Sequence, residues 1–359
     1  MAQLDSLRKQ IDALDEKIVA LLNERAAAAV QIGKLKRRSG LGVFAPDREQ
    51  AVLQRIAEMS AGPLSEASLA AIYRELMSAS LSLERPPRVG YLGPKGSFSH
   101  EAAVSKFGES VDYEPLEDIR AIFSEISRGH VNYGVVPVEN TTGGAILDTL
   151  DAFIEHETRI CCELFRPIHQ HLMARCRQDE IAVVYSRPEA LRQCRRWLTE
   201  TGLASRTAPA PSTSRAAEMA AAEVGAAAIG SRLAAKMYGL PILAENIEDH
   251  PRNATRFFVL GGDPTPATGN DRTSLMLVTV HRAGALVDVL VSFQRAGVNM
   301  TMLTSRPSPS VENEYNFFID VEGHVDDPSF AAAIEEARRH CRTLVVLGSY
   351  PRASEGDSR

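Results

Sequence analysis

At 359 residues the chain is long enough for two or three domains, each with its own core. Hydrophobic and charged fractions of 44% and 24% are ordinary for a soluble protein, and a formal net charge of −6 gives no basis for a nucleic-acid partner, so any anion site must be local. No stretch combines a basic start with an apolar signal core and no apolar run could span a bilayer, which predicts a cytoplasmic protein with no membrane partner.

The first 84 residues read as wholly helical. From Leu4 the apolar positions run Leu7, Ile11, Leu14, Ile18, Leu21, then Arg25, Ala28, Ile32 and Leu35, alternating steps of three and four as a helix-packing seam requires. Arg25 occupies the seam itself, and Arg8 and Lys36 lie one residue past seam positions. Cations on a buried stripe need anionic partners, and the helix supplies none there, so an anionic ligand is the natural expectation. A coiled-coil arm with solvated flanking cations is the alternative that the helix alone leaves open. The helix is predicted to end near Ser39-Gly40. A second begins around Asp47, Gly62-Pro63 breaks it, and a third runs to Leu83 before the linker Arg85-Pro86-Pro87-Arg88.

From Arg88 short β-type runs alternate with helical ones, as in an α/β domain whose ligand loops lie at the carboxyl ends of its strands. Val89-Gly90-Tyr91-Leu92 is a strand, Ser99 to Phe107 a helix, and Tyr133 to Val138 a second strand followed by a helix from Ala145. A second α/β unit runs from His171 to Leu240, and two such units around a hinge would form a cleft. From Ser274 the order is strand, helix, strand, strand, helix, strand, the ferredoxin-like arrangement. Its strands are placed at 274–280, 300–306, 315–321 and 344–347, and its helices at 284–295 and 328–341.

Three loops carry chemistry. Gly93 to Ser99 joins a strand to a helix start, where free backbone N–H groups and small hydroxyls favour an anion; a plain turn with Ser99 as cap is the simpler alternative. Glu139-Asn140-Thr141-Thr142-Gly143-Gly144 repeats the geometry at a second strand end. Asn253-Ala254-Thr255-Arg256-Phe257 precedes an apolar strand, and a Thr hydroxyl beside a fixed guanidinium can deliver a proton to a departing hydroxide. The five cysteines, Cys161, Cys162, Cys176, Cys194 and Cys341, lack the paired spacing of a zinc site; they read as reduced packing residues, with no metal expected.

Six segments in order resemble the bifunctional chorismate mutase-prephenate dehydratase family: Gly93 to Ser99, Val136 to Thr141, Thr255-Arg256-Phe257, Gly284 to Val287, Ser305-Arg306-Pro307 and Gly348-Ser349-Tyr350-Pro351. The resemblance implies three domains. They are an all-α chorismate mutase domain at 1–87, a two-lobed α/β dehydratase domain of periplasmic-binding-protein type at 88–265, and a ferredoxin-like α+β ACT regulatory domain at 272–353. It implies rearrangement of chorismate to prephenate, then dehydration and decarboxylation of prephenate to phenylpyruvate, with feedback inhibition by phenylalanine. No cofactor is called for, because aromatisation drives the second step. Family members pair through interlocked first helices, so a homodimer or higher homo-oligomer is expected.

By the same resemblance Arg8, Arg25 and Arg48 bind substrate carboxylates, as guanidinium forks suit. Lys36 faces the ether oxygen where charge builds, Glu49 accepts the substrate hydroxyl and Ser80 contacts a carboxylate. Two positions depart from the pattern: Ala45 stands where Asp can occur, and Glu84 where Gln is common. Only a protonated Glu84 could donate to the ether oxygen. Mutase activity is therefore expected to fall as pH rises through its titration, and Glu84→Gln to flatten the profile; an unchanged profile in that variant sinks the assignment.

In the dehydratase the resemblance gives hydroxide departure to Thr255, with Arg256, Asn140, Thr141, Ser99 and Ser186 lining the cleft and Gln193 at a further polar position. Ser97 stands where Thr is usual, and Arg187 and Glu189 where His and Gln are often seen. Gly284, Ala285, Leu286 and Val287, with Ser305 and Arg306, correspond to the segments enclosing phenylalanine, although Ala283 and Thr304 replace the usual Pro and Glu. Two other readings stay open at this level: a two-lobed binding protein with an ACT-like sensor and no chemistry, and a dehydratase whose helical block only dimerises.

Overall fold

The computed structural model describes residues 1–39, 42, 44–84, 86–308, 311 and 314–353, apart from the side chains of residues 37 and 84. The chain divides into two compact units.

The first unit is built on three helices: α1 (Ala2–Arg38), α2 (Pro46–Met59) and α3 (Glu66–Glu84). Pro46 sits at the first turn of α2, where its missing N–H costs nothing. α1 packs on α3 through its C-terminal half only. Its first twenty residues are exposed on every face, including Leu7, Ile11, Leu14 and Ile18 at about half exposure each. A seam of this regularity left uncovered is unusual for a solvated helix.

The second unit begins with β1 (Arg88–Leu92), α4 (Phe98–Phe107), β2 (Asp112–Leu116), α5 (Ile119–Ser127), β3 (Tyr133–Asn140), β4 (Gly144–Ala145), α6 (Leu147–Glu155) and β5 (Ile160–Pro167). It crosses into a second lobe of β6 (His171–Ala174), β7 (Val183–Ser186), α7 (Pro188–Gln193), α8 (Arg195–Glu200), β8 (Thr207–Pro209), α9 (Thr213–Ala222), β9 (Ala226–Gly230), α10 (Arg232–Tyr238) and β10 (Ile242–Ala244). It then returns as β11 (Ala254–Gly261). The first sheet has the order β2-β1-β3-β11-β5, with β4 beside β3, and the second β10-β6-β9-β7-β8. β3, central and buried from Tyr133 to Val138, reads as an unbroken apolar run, as a strand covered on both faces does. β9 is buried throughout and made of Ala226-Ala227-Ala228-Ile229-Gly230.

The C-terminal part comprises β12 (Asp271–Thr279), α11 (Ala285–Arg295), β13 (Met300–Pro307), β14 (Tyr315–Glu322), α12 (Pro328–Arg338) and β15 (Cys341–Pro351). Its antiparallel sheet has the order β13-β14-β12-β15. One face, with Leu275, Leu277, Ile319 and Val321, packs against Val289 and Phe293 of α11 and Phe330 and Ile334 of α12. The opposite face sends Phe318, Leu347 and Tyr350 into the core of the first lobe beside Phe258 and Ile160. The close approach at Gly348 leaves no room for a side chain, since an added Cβ would collide with the Ile160 carbonyl. The last strand is longer than expected: Cys341 to Thr343, read as the end of a helix and its turn, pair with β12, and α12 stops at Arg338.

Candidate functional site: a hydroxyl held at the hinge of two lobes

Residues 168–170 and 245–253 carry the chain between the lobes, and the polar groups of interest gather where these crossovers meet the first sheet. Ile168 donates its N–H to the Asn253 carbonyl at 2.8 Å. Buried Glu248 ties the strands further, accepting the Gln170 N–H at 2.9 Å and pairing with His169 Nδ1 at 2.7 Å. Gln170 Nε2 donates to Gln193 Oε1 at 3.3 Å, which fixes Gln193 to this hinge.

Thr255 is the second residue of β11 and is buried. In the antiparallel ladder it faces Asn140 on one side and Arg166 on the other, and directly opposed residues share a face. Asn140 Nδ2 donates to Thr255 Oγ1 at 2.8 Å and to Asn253 Oδ1 at 3.0 Å. Asn140 Oδ1 accepts from the Thr142 hydroxyl at 2.6 Å and from the Thr142 and Gly143 N–H groups at 3.0 and 2.9 Å. With its oxygen occupied by three donors, the amide can present only N–H to Thr255. The Thr255 oxygen is therefore an acceptor within the protein, and its single proton stays available for a bound molecule. Thr141 joins the cluster through a hydroxyl that accepts the Ala254 N–H at 2.9 Å.

Arg256 corrects the sequence reading. Successive strand residues point to opposite faces, so the guanidinium expected to line the cleft beside Thr255 lies on the other side of the sheet. There it is buried among Glu163, Asp320 and Tyr350. The guanidinium sharing the Thr255 face belongs to Arg166. Burial raises the pKa of Glu101 on α4, against the opposing pull of Arg166, His169 and Arg232.

The Gly93 loop is shaped by its serines. Ser97, not Ser99, caps α4: its hydroxyl accepts the His100 N–H at 3.2 Å and donates to the Leu92 carbonyl at 2.8 Å. Ser99 is buried in the first turn of the helix. The second lobe reaches across to this loop. Ser231 Oγ donates to the Gly96 carbonyl at 2.8 Å and Ser214 Oγ to the Lys95 carbonyl. Gly96 has φ +81°, and a Cβ there would meet Ser214 Oγ at 2.8 Å and Ala234 Cα at 3.3 Å. Gly96→Ala is accordingly expected to hold the lobes apart and cut turnover at this hinge by about tenfold, a loss measured with the helical unit's activity as internal control; unchanged turnover would show the contact to be dispensable.

One further expected residue, Ser186, makes no hydrogen bond to the Thr255 cluster, and neither do the two departures beside it, Arg187 and Glu189. Ser186 is fully buried at the end of β7 and donates to the Ile229 carbonyl at 2.7 Å. Arg187 and Glu189 pair with each other on the surface at 2.8 Å. Asn253, unassigned from sequence, is the group that anchors Asn140; its position two residues before Thr255 on the same segment is the signal that could have found it.

In the helical unit Arg25 Nη1 donates to Ser80 Oγ at 2.8 Å and to the Leu76 carbonyl at 3.4 Å, bringing two expected site residues together and leaving other N–H donors of the fork for a ligand. Arg8 stands exposed on the free half of α1, 3.6 Å from Asp5. Lys36 is half-buried near the end of that helix, while Arg48 is exposed and Glu49 half-buried in the first turns of α2. The Glu84 side chain lies outside the described residues. In the C-terminal sheet Gly284, at φ +80°, opens α11, with Ala285 buried, Leu286 half-buried and Val287 exposed. Ser305 is exposed on the edge strand β13, and Arg306 is held bidentately by Asp151 of α6 at 2.7 and 2.6 Å rather than standing free beside Gly284.

None of the five cysteines is in a disulfide, and burial pushes the thiols of Cys161, Cys194 and Cys341 up, the last to about 11. A raised thiol pKa suits Cys161, Cys194 and Cys341 to packing rather than to nucleophilic attack. No described helix is long and apolar enough to cross a membrane.

The Arg25–Ser80 pair of the helical unit and the poised Thr255 hydroxyl at the hinge of the α/β unit are two separate sites, as in a two-site enzyme acting on small polar molecules. Residues 7–85 match the chorismate mutase type II family and residues 89–265 the prephenate dehydratase family. The chain is 42% identical to the bifunctional chorismate mutase/prephenate dehydratase of Stutzerimonas stutzeri and 41% identical to that of Aquifex aeolicus, in each case over 98% of its own length and 98% and 99% of theirs. The prephenate dehydratase of Arthrobacter aurescens, solved in complex with L-Phe, superposes with a TM-score of 0.68 at 32% identity, covering 74% of this chain and 90% of that one. The chain belongs to the bifunctional chorismate mutase/prephenate dehydratase family. It rearranges chorismate to prephenate and converts prephenate to phenylpyruvate, consecutive steps toward phenylalanine.

Proposed function

We propose that Thr255 is the residue that assists hydroxide departure from prephenate. The observation that carries this reading is the Asn140 Nδ2 donor at 2.8 Å from Thr255 Oγ1, with the amide locked by Thr142 and Gly143. As the ring C–O bond and the bond to the ring carboxylate break, the electron pair released with carbon dioxide completes the aromatic ring. The leaving oxygen takes a proton through the Thr255 hydroxyl and departs as water. Asn140, Thr141 and Ser99 line the pocket on the first lobe and Gln193 on the second, with Asn253 as the anchor of Asn140. Ser186 shapes the second lobe through its bond to Ile229. Prephenate turnover by Asn253→Ala tests the arrangement: the account expects kcat to fall by about tenfold, and an unchanged kcat removes the anchor from it.

For the mutase, Arg25 and Ser80 hold one chorismate carboxylate, Arg48 and Glu49 the second carboxylate and the hydroxyl, and Lys36 the ether oxygen. Arg8 lies seventeen residues before Arg25, about 26 Å along one helix, too far for both to grip one small substrate within a chain. A second copy, covering the exposed seam of α1 and bringing its own Arg8, resolves both facts, so the working form is a homodimer or larger assembly. The boundaries we assign are 1–87, 88–265 and 272–353. The last is an ACT domain that takes phenylalanine between paired copies at Gly284 to Val287 and Ser305, with Arg306 bound to Asp151 in the unliganded chain. The L-Phe complex of the Arthrobacter aurescens relative supports this reading. We place the protein in the cytoplasm.

A further inference from the structure

Arg256 lies in the most heavily charged buried spot among the described residues of the second unit. Its Nε and Nη2 donate to Glu163 Oε2 on β5 at 2.8 and 2.7 Å, its Nη1 to Asp320 on β14, and its Nη2 to Tyr350 Oη on β15 at 3.2 Å. Arg272 on β12 completes the set, reaching Glu163 Oε2 at 2.5 Å. Ser274 Oγ lies 2.5 Å from Asp320 Oδ1 and 2.6 Å from Tyr350 Oη. Two guanidinium groups thus balance two carboxylates at a buried point. The guanidinium carbon also lies 4.8 Å from the Phe258 ring centre. Burial alone would lower the pKa of Arg256, yet Asp320, Tyr350 and Glu163 together raise it, so the group stays charged at any working pH.

The position of this cluster gives it meaning. Thr255 and Arg256 are consecutive on β11, one side chain on each face. The strand carrying the hydroxyl on one side is therefore clamped to the C-terminal sheet on the other. Asp320 belongs to β14, whose ladder neighbour β13 carries Ser305 and Arg306. Separating buried, paired charges is costly, so a shift of β14 either breaks the clamp or drags β11 with it.

We propose that Arg256 is a positioning residue: through Glu163 and Asp320 it sets the place of the Thr255 hydroxyl, and it is the link by which the state of the C-terminal sheet reaches the dehydratase site. This rests on the reading of Thr255 given above. Small movements at β14 become changes in the aim of one hydroxyl, the kind of discrete coupling that binding at a second site can exploit.

The test uses the full-length enzyme with Tyr350→Phe, which removes one oxygen and no charge, with Asp320→Asn, and with Arg256→Lys. Neither Tyr350 nor Asp320 shares the Thr255 face. Prephenate saturation curves are measured with and without phenylalanine, phenylalanine binding by equilibrium dialysis, and mutase activity as the folding control. We expect Tyr350→Phe to lower kcat about threefold and Asp320→Asn about tenfold, with KM within about twofold, and phenylalanine to bind as in the wild type but inhibit less. A raised KM in Arg256→Lys, with Tyr350→Phe unaltered in kcat and inhibition, would return Arg256 to substrate binding and overturn the proposal. If Asp320→Asn fails to fold, Tyr350→Phe decides alone. Thr255→Ala run alongside separates the two claims: full turnover in it, with a loss in Tyr350→Phe, would uphold the clamp and dismiss Thr255.

Discussion

Thr255→Ala is expected to lower dehydratase kcat by about a thousandfold while leaving chorismate mutase activity within about twofold of wild type. The size follows from the geometry. The Thr255 oxygen already accepts from Asn140 Nδ2, so the hydroxyl has one proton and one direction left to offer. Alanine removes that donor and takes from the Asn140 amide its 2.8 Å acceptor, leaving it the longer contacts to Asn253 Oδ1 and the Ala254 carbonyl. Thr255→Ser keeps the hydroxyl and should recover most of the rate. Phenylpyruvate formation from added prephenate measures all three forms. Parallel loss of both activities in Thr255→Ala would show that the residue acts through folding.

The second large effect concerns the mutase. Arg25→Ala and Arg8→Ala should each reduce mutase kcat/KM by about a hundredfold or more, because the proposed site gives each a charge-assisted grip on a substrate carboxylate. Neither should touch the dehydratase. The two residues lie far apart on one helix, which makes the pair informative. If Arg8 serves the partner's site, a mixed dimer of the two variants contains one site with both arginines intact. Random co-assembly of the two inactive chains should then recover about a quarter of wild-type mutase activity. No recovery on co-expression would place both arginines in one chain's site or show that the helix does not pair.

What could be read from the sequence follows the strength of each periodic signal. The three N-terminal helices were legible because Leu7, Ile11, Leu14 and Ile18 keep a helical step for many turns, and Pro46 and Gly62-Pro63 punctuate them. The exposed half of α1 keeps its seam without a cover, so the pattern was visible although its partner was not. β5 was missed: Ile160-Cys161-Cys162-Glu163-Leu164-Phe165-Arg166-Pro167 neither alternates nor runs apolar, because its two faces bury an ion-pair network on one side and the hinge on the other. The same strand explains the misplacement of Arg256. Reading Thr255-Arg256 as one catalytic pair ignored the strand's alternation, and the carboxylate that claims the guanidinium, Asp320, lies sixty-four residues away in sequence. Asn253 and the choice of Ser97 over Ser99 as helix cap are decided by local hydrogen bonds that residue spacing leaves ambiguous.

The central claim is that one chain carries both a working mutase and a working dehydratase, the second controlled through its C-terminal sheet. The most direct measurement is chorismate conversion by the purified full-length protein, with chorismate loss and phenylpyruvate appearance followed separately, with and without phenylalanine. The account predicts that both signals appear and that phenylalanine suppresses the second. Phenylpyruvate arising only from added prephenate would contradict the helical site, and a phenylpyruvate rate indifferent to saturating phenylalanine would contradict the control assigned to the C-terminal sheet.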